Sequence, residues 1–324
     1  MHLLLANIYD SIRSLGWNGA FALLRDGIVL GALYSLVALG YSMVYGILKL
    51  LNFAHGDIFM VGAFIGFGVL SVLAGPVSST LSIVPLIIVL FAVSMLGSGV
   101  LGVVIERLAY RPLRNAPRIA PLISALGVVF FLESSVQLLT NSAHFQYSNY
   151  PVFRPLFQPP LFTIGSSPVN VVQVLVIGLA IALMVALMYI VNRTRFGKAM
   201  RATAYDREAA SMMGIDTDRV IAVTFFIGSA LAGAAGVMYG LWLSDTYFLV
   251  GFVYGLKAFT AAVVGGIGSI QGAMFGGLLI GLVEEFAGGY AGGQWDDITV
   301  FAILIVFLLV RPYGLFGSRA IQKV

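Results

Sequence analysis

Nine apolar runs recur along this chain, most of them near the ~20 residues that a helix needs to cross the hydrocarbon of a bilayer. They lie near 24–47, 57–74, 82–105, 119–139, 169–191, 221–241, 252–267, 272–290 and 298–310. Segments such as 171–191 and 300–310 are continuously apolar, without the residue-by-residue alternation of an outer-membrane barrel strand. A helix in lipid satisfies its own backbone hydrogen bonds, so helices are the predicted element. The predicted fold class is all-α: a polytopic transmembrane bundle of about eight to ten helices with short interrupted Gly-rich segments. Composition agrees. The chain is 60% hydrophobic and 10% charged, whereas soluble domains carry about 25% charge. Its lipid bilayer is therefore the first expected partner.

Organisation follows from charge. Residues 1–20 read as an amphipathic lead-in in the membrane interface, 21–316 as one transmembrane domain, and 317–324 as a tail. Lys and Arg gather in three places: Arg107, Arg111, Arg114 and Arg118; then Arg193, Arg195, Lys198, Arg201, Arg207 and Arg219; then Arg311, Arg319 and Lys323. With nine crossings these fall on one side, which is the expected cytoplasmic side. The loop 192–220 and the tail are then cytoplasmic, and the weakly charged connection 140–168 is external. The net charge of +4 is explained by that bias, so no nucleic-acid partner is expected. There is no Cys, and His2, His55 and His144 are far apart in sequence, so no metal or cofactor is expected. The first residues lack a basic stretch and a cleavage site, so no cleaved signal peptide is expected.

The membrane part holds many of the 38 glycines. Pairs four apart (Gly27/Gly31, Gly62/Gly66, Gly236/Gly240, Gly251/Gly255, Gly272/Gly276, Gly277/Gly281) put side-chain-free strips on helix faces and predict close helix packing. Two segments interrupt apolar runs with Gly and polar residues. One spans Asn52, Phe53, Ala54, His55, Gly56 and Asp57, and the other spans Gly265, Gly266, Gly268, Ser269, Gly272 and Ala273. Paired interrupted segments point to a transport path. Asn52, His55 and Asp57 equally suit a helix cap at the interface. Glu133, inside an apolar run beside Ser134, Ser135 and Gln137, is a functional candidate because an ionisable group there is costly. It suits pore lining or a helix–helix hydrogen bond. Asp245 and Lys257 are expected at the outer interface, and Glu284, Glu285, Asp296 and Asp297 near hydrated helix ends. No catalytic constellation is visible.

The loop 192–220 suits a helix from Lys198 to Met213, with Gly214 as its stop. Ala199, Ala202, Ala209, Met212 and Met213 would give it a small apolar face. It reads Glu208-Ala209-Ala210, three residues, Gly214, which resembles the coupling loop of ABC importer permeases. The pairing of Asn52-Phe-Ala-His-Gly56 with Gly265-Gly-Ile-Gly-Ser-Ile-Gln-Gly-Ala-Met-Phe-Gly-Gly277 resembles the LivH type of branched-chain amino-acid permease over about residues 24–316. That resemblance implies one half of a permease pair, with a LivM-type sister, two ABC ATPase subunits inside and a periplasmic substrate-binding protein outside, in a bacterial inner membrane. It implies ATPase coupling through Arg201, Asp206, Glu208, Ala209, Ala210 and Gly214. It implies a translocation path near Asn52, Phe53, His55, Gly56, Asp57, Glu133, Gly265, Gly266, Gly268 and Gly272. The chain has no Gly-x-x-x-x-Gly-Lys-Ser/Thr phosphate loop, so ATP hydrolysis is expected on separate subunits. A urea or short-amide permease, an ion-coupled secondary transporter and a passive channel are the alternatives.

Overall fold

A computed structural model describes residues 2–74, 83–114, 116–117, 119–164 and 167–317. Arg118, Arg319 and Lys323, which entered the orientation argument, lie outside the described residues, as does the tail 318–324. In chain order the helices are α1 (His2–Leu48), α2 (His55–Ala74), α3 (Ile83–Ile105), α4 (Ile119–Thr140), the single turn α5 (Arg154–Phe157), α6 (Val171–Arg193), α7 (Arg195–Tyr205), α8 (Arg207–Met212), α9 (Thr217–Leu243), α10 (Val250–Gly265), α11 (Ile270–Ala291) and α12 (Trp295–Val310). A π turn over Glu106–Tyr110 extends α3. A short antiparallel hairpin, β1 (Phe162–Ile164) and β2 (Ser167–Val169), precedes α6.

All nine apolar runs are helices. Among the described residues seven are long and apolar enough to span a membrane: α1 from Trp17 onward, α2, α3, α4, α6, α9 and α11. α10 and α12 have 16 residues each, about 24 Å of helix, and are shorter than a full crossing. α1 runs without a break from His2, so the expected lead-in is the start of the same helix.

Small residues decide the packing. α1 and α9 are the innermost helices, while α3, α4 and α6 turn most of their apolar side chains outward. A Cβ added at Gly31 would meet the α11 backbone at Leu278, at 2.8 Å. One added at Gly233 would meet Ser98 and the Ser94 carbonyl of α3, and one at Gly236 would meet α2. In lipid no hydrophobic effect drives helices together, so such close backbone approach and the dispersion it brings must do so. Interhelical hydrogen bonds add to it. Ser94 Oγ lies 2.7 Å from Gly62 O and 3.1 Å from Gly233 O, and Ser35 Oγ donates to Met274 O at 2.8 Å.

The connection 140–168 packs into one end of the bundle instead of lying over it. Tyr147 and Phe153 are fully buried. The Tyr147 hydroxyl donates to Ala63 O at 2.6 Å, and its ring joins an aromatic group with Phe67, Phe145 and Tyr150. Phe145 pairs with Thr246, just after α9.

Candidate functional site

The basic connections meet at one end of the bundle, and capping chemistry sets their shape. Asp206 and Asp216 sit one residue before α8 and α9. Each offers a carboxylate to an orphan amide of the first turn, Asp206 to Ala209 N and Asp216 to Arg219 N, both at 3.0 Å. Thr194 does the same for α7, accepting from Gly197 N at 3.1 Å. The expected single helix over 198–213 is therefore two helices. Asp206 adopts an extended conformation at φ −152° and restarts the chain as α8. Gly214 ends α8 as expected. Its φ is +82°, and Ile215 N reaches back to Ala210 O at 3.1 Å, the closing bond of a Schellman turn.

The residues expected to couple to an ATPase divide into two groups. Asp206, Glu208, Ala209 and Gly214 are exposed, and beside them Tyr205, Met212 and Met213 are 89%, 80% and 83% exposed. Ala210 turns inward and is buried. The Arg201 guanidinium donates to Val191 O, where it closes the end of α6. Sequence reasoning missed Asp218 in the first turn of α9. It receives Arg111 at 2.5 Å, Arg114 at 2.5 Å and Arg207 at 3.0 Å. Arg114 also pairs with buried Glu106. One carboxylate thus joins α8, α9 and the turn after α3. An acidic residue inside a basic loop was its only trace in the sequence.

The second cluster sits where α2 begins. Asn52, His55 and Asp57 are 2%, 1% and 1% exposed, so they are buried among the helices, with Asp57 in the first turn of α2 as expected. The Asn52 amide oxygen accepts from Tyr110 OH at 2.8 Å. His55 lies edge-on to Tyr41 at 4.8 Å. Phe53 packs on Phe259. Gly56 faces Gly251 and Gly255 of α10, where any Cβ would strike backbone. Glu133 is partly buried on α4, and its Oε1 has no partner.

Gly265, Gly266, Gly268 and Gly272 do not join this cluster. They form the α10–α11 turn, with Gly266 at φ +109° and Gly268 at +92° and Ser269 capping α11 at Gly272 N, 3.1 Å away. Gly255 and Gly265 are ten residues apart in α10, roughly 15 Å along its axis. The turn instead borders a cavity of about 340 Å³ at the basic end, shared with Ser42, Gly46, Lys49 and Arg201.

Two further expectations are corrected. Lys257 is 4% exposed and Glu284 6% exposed, so neither is at a hydrated interface. Lys257 Nζ lies 2.6 Å from both Glu284 Oε1 and Asp297 Oδ1. Tyr34 OH donates to Glu284 Oε2 at 2.7 Å. The charges are tolerated because each has its counter-charge within the protein.

The chain matches the family model described as branched-chain amino acid transport system / permease component over residues 23–308. It is 41% identical to the high-affinity branched-chain amino acid transport system permease protein BraD of Pseudomonas aeruginosa, covering 93% of this chain and 97% of that protein. It is 40% identical to LivH of Salmonella typhimurium and 39% identical to LivH of Escherichia coli K12, each over 92% of this chain and 96% of the relative. No solved structure matches it. A bundle of membrane-length helices, matched along nearly its whole length at this level of identity, belongs to the family of branched-chain amino acid transport permease components.

Proposed function

We propose that the chain is the transmembrane permease subunit of an ATP-driven importer that carries branched-chain amino acids across a bacterial inner membrane. The observation that carries this reading is end-to-end similarity to BraD and LivH, whose names state that transport. It works beside a LivM-type sister permease, two ABC ATPase subunits and a periplasmic binding protein. ATP hydrolysis belongs to the ATPases. The basic end faces the cytoplasm, where Lys and Arg concentrate in inner-membrane proteins.

In this reading α8 is the part that an ATPase grips. Its exposed C-terminal end carries Met212 and Met213, and Tyr205 ends the preceding α7 beside it, large side chains left uncovered among the described residues. Motion of α8 passes through Arg207 to Asp218 and so to α9. α9 is an inner helix that touches α2 at Gly62 and Phe59, and α2 begins at the Asn52–Asp57 cluster. The path forms there, with Glu133 facing it from α4. ATP must bind the two bundle states unequally, since equal affinity shifts nothing.

The test is leucine uptake by proteoliposomes holding the co-purified subunits, with binding protein outside and ATP inside. Uptake that needs ATP supports the proposal, and uptake driven by an ion gradient without ATP rejects it. In the same assay Asp218→Asn is expected to lower uptake about tenfold while ATP hydrolysis continues, because the link between α8 and α9 is cut.

A further inference from the structure

We infer that Asp57 is the group that receives the ammonium of the transported amino acid. The inference rests on the transport reading above and assigns a chemical role within it. Asp57 is 1% exposed and its Oδ1 has no hydrogen-bond partner among the described residues. The other buried carboxylates of the described residues have their cations: Glu106 has Arg114, and Glu284 has Lys257. Asp57 has none. Tyr41, the other titratable residue on the same cavity, supplies no cation either. A buried carboxylate without a counter-charge is costly, so a cation from outside the chain has a place to bind.

The surroundings fit a primary ammonium on an apolar molecule. Asp57 lines a cavity of about 50 Å³ between α1, α2, α4 and α10. A single water needs roughly 10–15 Å³ of such space, so an ammonium group fits. Tyr41 and Phe53 supply aromatic walls, which attract a cation through their ring faces. Leu126, Val129, Phe252 and Leu256 supply the apolar wall. Leu126 and Phe252 are 43% and 52% exposed, so the cavity has its lip between α4 and α10, where an aliphatic side chain can lie. Gly251 leaves the approach open: a Cβ there would stand 2.7 Å from Asp57 Oδ1.

The test uses the complete membrane complex of both permeases and both ATPases in nanodiscs, without the binding protein. Tritiated leucine is bound and then competed with leucinol, which keeps the ammonium and lacks the carboxylate, or with 2-hydroxy-4-methylpentanoate, which keeps the carboxylate and lacks the ammonium. In the wild type leucinol is expected to compete and the hydroxy acid not to. Asp57→Asn is expected to weaken leucine and leucinol by at least about tenfold. Equal leucinol binding by wild type and variant overturns the assignment, as does effective competition by the hydroxy acid or no leucine binding by the wild type. If Asp57→Asn does not assemble, Leu126→Trp decides. That side chain is on the lip, so lost leucine binding supports the assignment and unchanged binding overturns it. ATP-driven leucine uptake by the wild-type complex, measured alongside, separates the two claims. If uptake is present and Asp57 is without effect, only the assignment falls; if uptake is absent, the transport reading itself falls.

Discussion

Gly214→Val is expected to reduce leucine uptake to background while the protein still inserts and assembles in the membrane. Gly214 holds φ +82°, a region that costs an L-residue about 1–2 kcal/mol and a β-branched one more. Sterics elsewhere are not the cause, because a Cβ at this position meets nothing within 4 Å. The conformation itself is what valine cannot hold. α8 has six residues, too few to be stable alone, so it depends on the Asp206 cap at one end and the Gly214 turn at the other. Losing the turn releases the Ile215 N to Ala210 O bond and frees Met212 and Met213 from their fixed direction. Gly214→Asn separates this account from a general intolerance of change. Asparagine enters the left-handed region far more readily, so that variant is expected to keep most of its uptake. Glu208→Lys, which puts a cation at the positive end of α8, shifts uptake in the same direction as valine. Membrane insertion is checked by expression and size-exclusion profile, and uptake in proteoliposomes.

Lys257→Met is expected to have the largest effect on stability. It strands Glu284, 6% exposed, without its counter-charge, and breaking a buried pair from one side costs about 3–5 kcal/mol. A fall of roughly 10 °C in the unfolding midpoint in detergent follows. The double variant Lys257→Met, Glu284→Gln removes both charges and leaves Tyr34 a neutral acceptor, so it is expected to recover more than half of the loss. Asp297 loses the same partner but is 60% exposed on its side chain and stays hydrated. If the double variant is no more stable than the single one, the pair is not what holds α10 to α11.

Pattern carried the bundle and chemistry carried the caps, but depth was not legible. The apolar runs located the seven spanning helices and the shorter α10 and α12, and glycines four apart marked the faces that touch, such as Gly27/Gly31 of α1 on Gly277/Gly281 of α11. Gly214 was readable because only a stop residue suits that place. Asp206 was not, since an aspartate in a helical composition reads as an exposed side chain until its capping bond is seen. Lys257 was placed at the interface because a charge is cheapest there. Its partners stand 27 and 40 residues onward, and a single sequence carries no trace of which helices pair. The burial of His55 and Asp57 was hidden for the same reason. A run of residues shows where a helix begins along the chain, not how far inside the bundle that beginning lies.

The chain has no cysteine, which makes Met212→Cys a clean probe of whether α8 is the handle worked by an ATPase. A membrane-impermeant maleimide is applied to intact spheroplasts and to inside-out vesicles, with and without the ATPase subunits bound. The predicted result is no labelling from outside, strong labelling from the cytoplasmic side, and loss of that labelling when the ATPases are present. Labelling in intact spheroplasts, or equal labelling with and without the ATPases, contradicts the account.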